Sequence, residues 1–394
     1  MDPIMNPFSP GAGCPPPALV GRDAVLEQAR VLLARSLRGR AAQSMLMTGL
    51  RGVGKTVLLN RMASLAQKEG YHVIKLEIRE GKSLADLLAL PLRNLLYELD
   101  VMEGAHAAVR RALSALRNFI RTLRINIGDI GIGVEMTPGL ADSGDLEMDL
   151  PTLLQLSAEA AGARGTGIAL LVDEIQLLEA AELGAVVYAM HQLQQELSPL
   201  VLIAAGLPSL PRLVGQAKSY AERLFSYPVI DRLGKEDSWQ ALESPIFNEG
   251  ATIEQAALQF IYEKTTGYPY FLQEWGAQVW NVASHQELTL QDALRAESLV
   301  MDNLDREFFR VRFDRLTDGE KRFMRAMSEL GDDECRSADI AEILGVKPTS
   351  LTLTRANLIR KGMIYSMRHG YLRYSVPLFG CFLRRIMPLD KKVF

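Results

Sequence analysis

Two rhythms of apolar and polar positions alternate along the first 230 residues of this chain. Short, nearly continuous apolar runs occur at Ser44-Met45-Leu46-Met47-Thr48, at His72-Val73-Ile74-Lys75-Leu76-Glu77-Ile78, at Gly167-Ile168-Ala169-Leu170-Leu171-Val172 and at Val201-Leu202-Ile203-Ala204-Ala205. A fifth and shorter run is Ser226-Tyr227-Pro228-Val229-Ile230. Runs of this kind predict strands, most of them buried on both faces of a parallel sheet. Between them the apolar residues recur at helical spacing, which predicts helices over about 23–38, from Val57 onward, and over about 83–99 and 180–196. Strands alternating with helices predict an α/β fold, a parallel sheet with helices on both faces.

Residues 104–150 break that rhythm. They open with a basic helix carrying Arg110, Arg111, Arg117, Arg121 and Arg124. The alternating stretch Ile125 to Val134 suggests a hairpin or edge strands, and an acidic loop from Asp142 to Asp149 follows. This segment reads as an insertion; its arginines suit either a solvated helix face or a contact surface for a partner chain or nucleic acid. From 233 to about 305 the pattern is all helical, with Gly267 closing one helix and Pro269 in the first turn of the next. The six prolines at 3, 7, 10, 15, 16 and 17 make the first 17 residues an extended arm.

The chemistry concentrates where the first strand meets the second helix. Gly49-Leu50-Arg51-Gly52-Val53-Gly54-Lys55-Thr56 is a complete G-x-x-x-x-G-K-[ST] loop, and Val57 continues it into the helix. Glycines let the backbone turn its N–H groups onto phosphate oxygens, and the positive end of the new helix adds to the field. Lys55 is positioned to reach the β- and γ-phosphates of a nucleoside triphosphate, and the Thr56 hydroxyl to hold Mg²⁺. The third run ends in Asp173-Glu174, at the strand edge where α/β ligands sit. Asp173 is the expected Mg²⁺ partner, and Glu174 the group that orients the water attacking the γ-phosphate. These residues predict ATP binding and hydrolysis to ADP.

Composition narrows the setting. At 394 residues, with 48% hydrophobic and 23% charged residues, the chain has material for two or three globular domains. Cys14, Cys335 and Cys381 are odd in number, far apart and without metal-ligand spacing, which argues against a disulfide framework and for a cytoplasmic location. No run approaches a membrane span, so no membrane partner is expected. The net charge of −3 is uneven: residues 311–394 hold 16 Lys and Arg against 10 Asp and Glu, leaving an acidic body and a basic tail. That asymmetry hints at nucleic acid.

In the tail, Thr317 and Glu320 have capping-box spacing ahead of a helix over 316–331. A short helix spans 336–345, a third opens at Lys347 and runs through Lys361, and residues 362–374 suit a two-stranded wing. That is the winged helix-turn-helix plan. On its third helix Thr349, Ser350, Thr352, Arg355 and Asn357 suit the major groove of double-stranded DNA, with Arg360 and Lys361 on phosphates. A winged helix used for protein contact is the alternative.

Taken together, the Val20-Gly21-Arg22 box, the Gly49–Thr56 loop, the Asp173-Glu174 strand end and Gly267-Tyr268-Pro269 resemble the AAA+/STAND group of P-loop ATPases. The branch most similar is that of archaeal origin-recognition ATPases and their bacterial relatives, over roughly residues 18–300. The resemblance implies an arm (1–17), a P-loop ATPase domain (18–232, with 104–150 inserted), a helical lid (233–305) and a winged-helix domain (306–394). It implies that Val20, Gly21, Arg22 and Pro269 contact the nucleotide, and that an arginine finger acting on a neighbouring subunit comes from about Arg223. A surface ion pair of Arg223 with Glu222 or Asp231 is the other reading. The chain departs from the group in one place. Its fourth strand runs on as Gly206-Leu207-Pro208, with no polar side chain until Ser209, where the group usually places a γ-phosphate sensor.

Overall fold

A computed structural model describes residues 1–11, 13–100, 106–125, 135–368 and 370–388. The expected hairpin from Ile125 to Val134 lies almost wholly outside them. The described residues group into two compact units, one of Ala24–Thr48 and Lys55–Val229, the other of Met1–Asp23, Gly49–Gly54 and Ile230–Phe394.

The first unit is built on a five-stranded parallel sheet. Its strands are β1 (Ser44–Thr48), β2 (Tyr71–Glu77), β3 (Gly167–Asp173), β4 (Leu200–Gly206) and β5 (Phe225–Ser226), in the spatial order β2-β3-β4-β1-β5. Every residue of β1 and β4 is buried, and in β3 all but Asp173. That is the environment a continuous apolar run requires. The edge strand β2 instead alternates, burying Ile74 and Leu76 and exposing Lys75 and Glu77. Leu46, Leu170, Val172, Leu202 and Ala204 point to one face, into a core shared with the helices Leu84–Asp100, His106–Thr122, Leu146–Gly162 and Ala180–Gln195. The helix Lys55–Lys68 packs against β2, β3 and β4.

Three sequence expectations are adjusted here. The fifth strand is shorter than its apolar run, because Pro228 has no N–H for a ladder. Only its carbonyl is used, accepting from Thr48 N–H at 2.9 Å, and Val229 adds a single bridge. The basic helix of the insertion is also part of the main core. Val109, Ala112, Leu113, Leu116 and Phe119 are buried, while Arg110, Arg111, Arg117 and Arg121 are exposed on the other face. The acidic loop is shorter than expected, since the helix Leu146–Gly162 begins inside it with Asp145 as N-cap. Asp149 is buried and accepts from Ser143 and Gly144 backbone N–H groups.

The second unit is mostly helical. Its helices Lys235–Asn248, Gln255–Thr265, Pro269–Val282 and Leu290–Asn303 match the all-helical reading, with one addition: two-residue strands β6 (Thr252–Ile253) and β7 (Glu287–Leu288) pair in parallel. The first residues are tied down rather than extended throughout. Pro3–Met5 form a 3₁₀ turn, Phe8 is buried against Gly276, and the Asn6 amide donates to the Ala277 carbonyl at 3.0 Å. Asp2 accepts from Trp280 Nε1 through its carbonyl at 2.9 Å. The expected boundary at 305–306 falls in a continuous helical segment, where Leu304–Arg310 is a π-helix that joins its neighbours.

Beyond it come the helix Asp318–Glu329, β8 (Cys335–Arg336), the helix Ser337–Ile343, a 3₁₀ turn Pro348–Leu351, the helix Thr352–Arg360, β9 (Ile364–Tyr365), β10 (Tyr371–Tyr374) and the helix Phe379–Ile386. The strands form an antiparallel sheet in the order β8-β10-β9. The expected capping box is present: Thr317 accepts from Glu320 N–H, and Glu320 from Thr317 N–H at 2.8 Å. Thr317→Ala leaves a helix N–H without its acceptor and should lower stability by about 1 kcal/mol, read by denaturant unfolding of the full chain. An unchanged unfolding midpoint would show the cap to be dispensable. No helix among the described residues is long and apolar enough to cross a membrane.

Candidate functional site

In the sheet unit the chemistry gathers at the C-terminal ends of β1, β3 and β4. Parallel strands present their carboxyl ends together, so the helix beginning at Lys55 and the acids ending β3 share one edge. Thr56 Oγ1 donates to Asp173 Oδ2 at 2.6 Å. The Asp173 carboxyl is pushed above its usual range, first by burial and then by Glu174, against the lowering effects of Thr56, the Glu174 backbone N–H and the Lys55 charge. Lys55 itself is buried, at 7% exposure. Thr56 and Asp173 therefore meet, and the Lys55 charge acts on the same carboxyl. The pair Thr56–Asp173 offers two hard oxygens, a donor set suited to Mg²⁺.

Glu174 follows in the left-handed backbone region, φ 53°, an uncommon conformation for a residue with a side chain. Its N–H donates to Asp173 Oδ1 at 2.8 Å, which fixes the turn out of β3. The Glu174 carboxylate accepts from the Gln176 side-chain amide, and Gln176 Oε1 in turn accepts from the Leu207 N–H at 3.1 Å, just past β4. Gln176 was not singled out in the sequence; no motif marks it. Arg223 is exposed on the one-turn helix Ala221–Leu224, and its carbonyl accepts from the Gln43 amide at 2.7 Å.

The second unit holds the remaining loop residues, Gly49–Gly54, with the residues expected to contact nucleotide through resemblance. Gly52 and Gly54 take φ of +84° and +94°, which a side chain would resist. Arg22 is buried and donates to the Asp231 carbonyl and, at 3.5 Å, to that of Val53. Burial chiefly draws its guanidinium pKa down, offset by Asp237 and Asp231. Gly21 lies against Asp237, and Gly267 against the Leu233 carbonyl, where a Cβ at φ +74° would overlap it. Pro269 opens the helix Pro269–Val282 with Tyr268 as N-cap. The box and the Gly-Tyr-Pro turn thus both meet residues 231–237, and Arg22 of the box also meets the loop at Val53; Val20 is half-buried beside them in sequence.

Another contact was not anticipated. Arg51 N–H donates to the Ser375 carbonyl at 3.1 Å, and the Arg51 guanidinium lies against Gly362, where a Cβ would meet it at 2.5 Å. Its charge, after burial, also helps hold Arg312 down to about 10. The phosphate loop is in this way bonded to the strand region 362–375.

On the helix Thr352–Arg360 and its leading turn, Thr349, Ser350, Thr352 and Arg360 are exposed, while Arg355 and Asn357 are half-buried. Lys361 is engaged: its ammonium donates to Glu320 at 2.7 Å and to the Arg315 carbonyl at 2.9 Å. Arg360 donates to the Asn357 side chain.

Residues 18–203 match the family of the AAA ATPase domain, and residues 306–383 match a family described only as a domain of unknown function. No curated protein matches the chain in sequence. Among solved structures, a Walker-type ATPase of Pyrococcus abyssi is 15% identical with a TM-score of 0.50, the likeness covering 93% of this chain and 96% of that one. The RuvB Holliday junction branch migration motor of Thermotoga maritima is 15% identical with a TM-score of 0.44, covering 90% of this chain and 92% of that one. The Aeropyrum pernix Orc1 protein, solved in complex with DNA, is 14% identical with a TM-score of 0.45, covering 96% and 95%. The first likeness bears on the fold alone, that of a P-loop ATPase.

Proposed function

We propose that this protein is an ATP-hydrolysing switch of AAA+/STAND type whose C-terminal region, 306–394, is a winged helix that engages duplex DNA. The observation that carries the ATPase reading is the meeting of Thr56 with Asp173 at the sheet edge, one residue before Glu174. The match of residues 18–203 to the AAA ATPase domain supports it. In this reading the Gly49–Thr56 amides and Lys55 bind the phosphates, while Val20, Gly21, Arg22 and Pro269 contact the nucleoside. Thr56 and Asp173 hold Mg²⁺, which when bound neutralises charge on the β- and γ-phosphates. Glu174 orients and polarises the attacking water. Arg223, exposed and on a short helix, is the candidate to act on a neighbouring subunit. ATP hydrolysis measured with and without duplex DNA, alongside the particle mass in ADP and in a non-hydrolysable ATP analogue, tests the whole reading. No turnover under any of these conditions would sink it.

The DNA part rests on the element order of residues 318–374, the net positive tail and the exposed polar face of Thr349, Ser350 and Thr352. Arg360→Ala should weaken binding to all duplex sequences and flatten the salt dependence by about one unit, as loss of one phosphate contact does. Arg355→Ala should cost about 1–3 kcal/mol at a preferred site and little elsewhere. Titration of labelled duplexes at several salt concentrations reads both. A protein-binding tail is the second reading, and two observations favour it. Lys361 is already paired with Glu320, and the same helix exposes Leu353 at 70% and Ile359 at 36%. Duplex binding that both substitutions leave unchanged would decide for protein.

A further inference from the structure

Gln176 joins Glu174 to Leu207, which lies 31 residues beyond Gln176 in the sequence. Its Nε2 donates to Glu174 Oε2, and its Oε1 accepts from the Leu207 N–H at 3.1 Å, at the C-terminal end of β4. A glutamine amide has one donating and one accepting end, and here both are used, so the side chain is held from two directions. Gly206 makes the bridge possible. A Cβ there would stand 2.7 Å from Gln176 Oε1, so a side chain at that position would push the amide aside. Residues 204–208 provide no polar side chain of their own, and Gln176 supplies the polar group at that position. Glu174 sits in the left-handed region, so its backbone is fixed by the turn while its side chain still has several torsions to settle. A hydrogen bond to one carboxylate oxygen from an anchored amide settles them.

We infer that Gln176 is a positioning residue for the hydrolytic reaction: it reads the end of β4 through the Leu207 N–H and holds the Glu174 carboxylate in the orientation that activates water. This rests on the proposal that Glu174 serves as the water-activating group. Gln176 touches neither nucleotide nor metal in this account. Its effect is on turnover and not on nucleotide affinity.

The test is steady-state ATP hydrolysis by the full chain for the parent, Gln176→Ala, Gln176→Glu, Gly206→Ala, Glu174→Gln and the Gln176→Ala/Glu174→Gln double variant. Thermal melting with and without ATP–Mg²⁺ checks folding and binding in each. Gln176→Ala should lower kcat by about 10- to 100-fold, the range seen when a supporting hydrogen bond to a reacting group is lost, with KM little changed. Gln176→Glu keeps the volume and the acceptor for Leu207, yet sets an anion where Glu174 needs a donor, so its kcat should fall at least as far. Gly206→Ala, which displaces the Gln176 carbonyl without touching Glu174, should lower kcat in the same direction. The double variant should be no slower than Glu174→Gln alone, because the two residues act as one unit. Parent kcat in Gln176→Ala, or losses that multiply in the double variant, would overturn the inference. A parent whose turnover is indifferent to Glu174→Gln would overturn the hydrolytic reading, and this inference with it; that line alone separates the two failures.

Discussion

Glu174→Gln should leave ATP–Mg²⁺ binding intact and reduce hydrolysis by about 10²- to 10⁴-fold, the contribution of a general base. The amide fills the same space and keeps an oxygen that can accept from Gln176. It cannot take up developing positive charge from the attacking water, and one of its two ends now donates where a carboxylate only accepts. The substitution therefore separates binding from chemistry. Binding is read by the ATP-induced rise in melting temperature, chemistry by phosphate release under saturating ATP. A variant that turns over at the parent rate would remove Glu174 from the mechanism. Asp173→Asn should give the opposite split, because Asp173 lies with Thr56 at the position expected for Mg²⁺. Its loss should weaken the Mg²⁺-dependent part of nucleotide binding.

The parts of the fold that were legible are those set by local rules. β1, β3 and β4 lie within a residue or so of their apolar runs because a strand buried on both faces has no polar position to blur its ends. The Thr317 cap was legible because a hydroxyl three residues before a glutamate has a defined use at a helix start. The fifth strand was over-read, since the apolar run contained a proline whose missing N–H outweighs its neighbours' preference. The first residues were read as extended from their prolines, but Phe8 finds the gap left by Gly276, a tertiary contact that composition does not encode.

The candidate site divides in the same way. That Thr56 and Asp173 come together was legible, because parallel strands bring their carboxyl ends to one sheet edge. The bridge made by Gln176 was not, because it depends on Leu207, which reaches it only through the pairing of β3 with β4. The bond from Arg51 to Ser375 was hidden for the same reason; its partners are joined by folding and by no spacing rule. Lys361 also has partners that no spacing rule gives. A lysine at the end of a tail helix reads as a phosphate contact, and here its ammonium donates to the buried Glu320 of the capping box that opens the helix Asp318–Glu329.

Lys55→Ala should abolish the stabilisation that ATP–Mg²⁺ gives the fold. A ligand at 100 times its dissociation constant adds about 2.7 kcal/mol to the folded state, enough for a clear rise in melting temperature. Lys55 is 7% exposed at the start of the helix Lys55–Lys68, and its charge acts on Asp173, the residue proposed to hold Mg²⁺. Removing a buried ammonium can itself change stability, because a neighbouring charge is left without its partner. The comparison is therefore the shift produced by nucleotide within each protein, not the melting temperatures of the two proteins without it. The parent should respond to ATP–Mg²⁺ in proportion to the logarithm of its concentration, and Lys55→Ala should not respond over the same range. An equal response in both would mean that nucleotide binds somewhere other than the Gly49–Thr56 loop, and the roles given to Thr56, Asp173 and Glu174 would fall together.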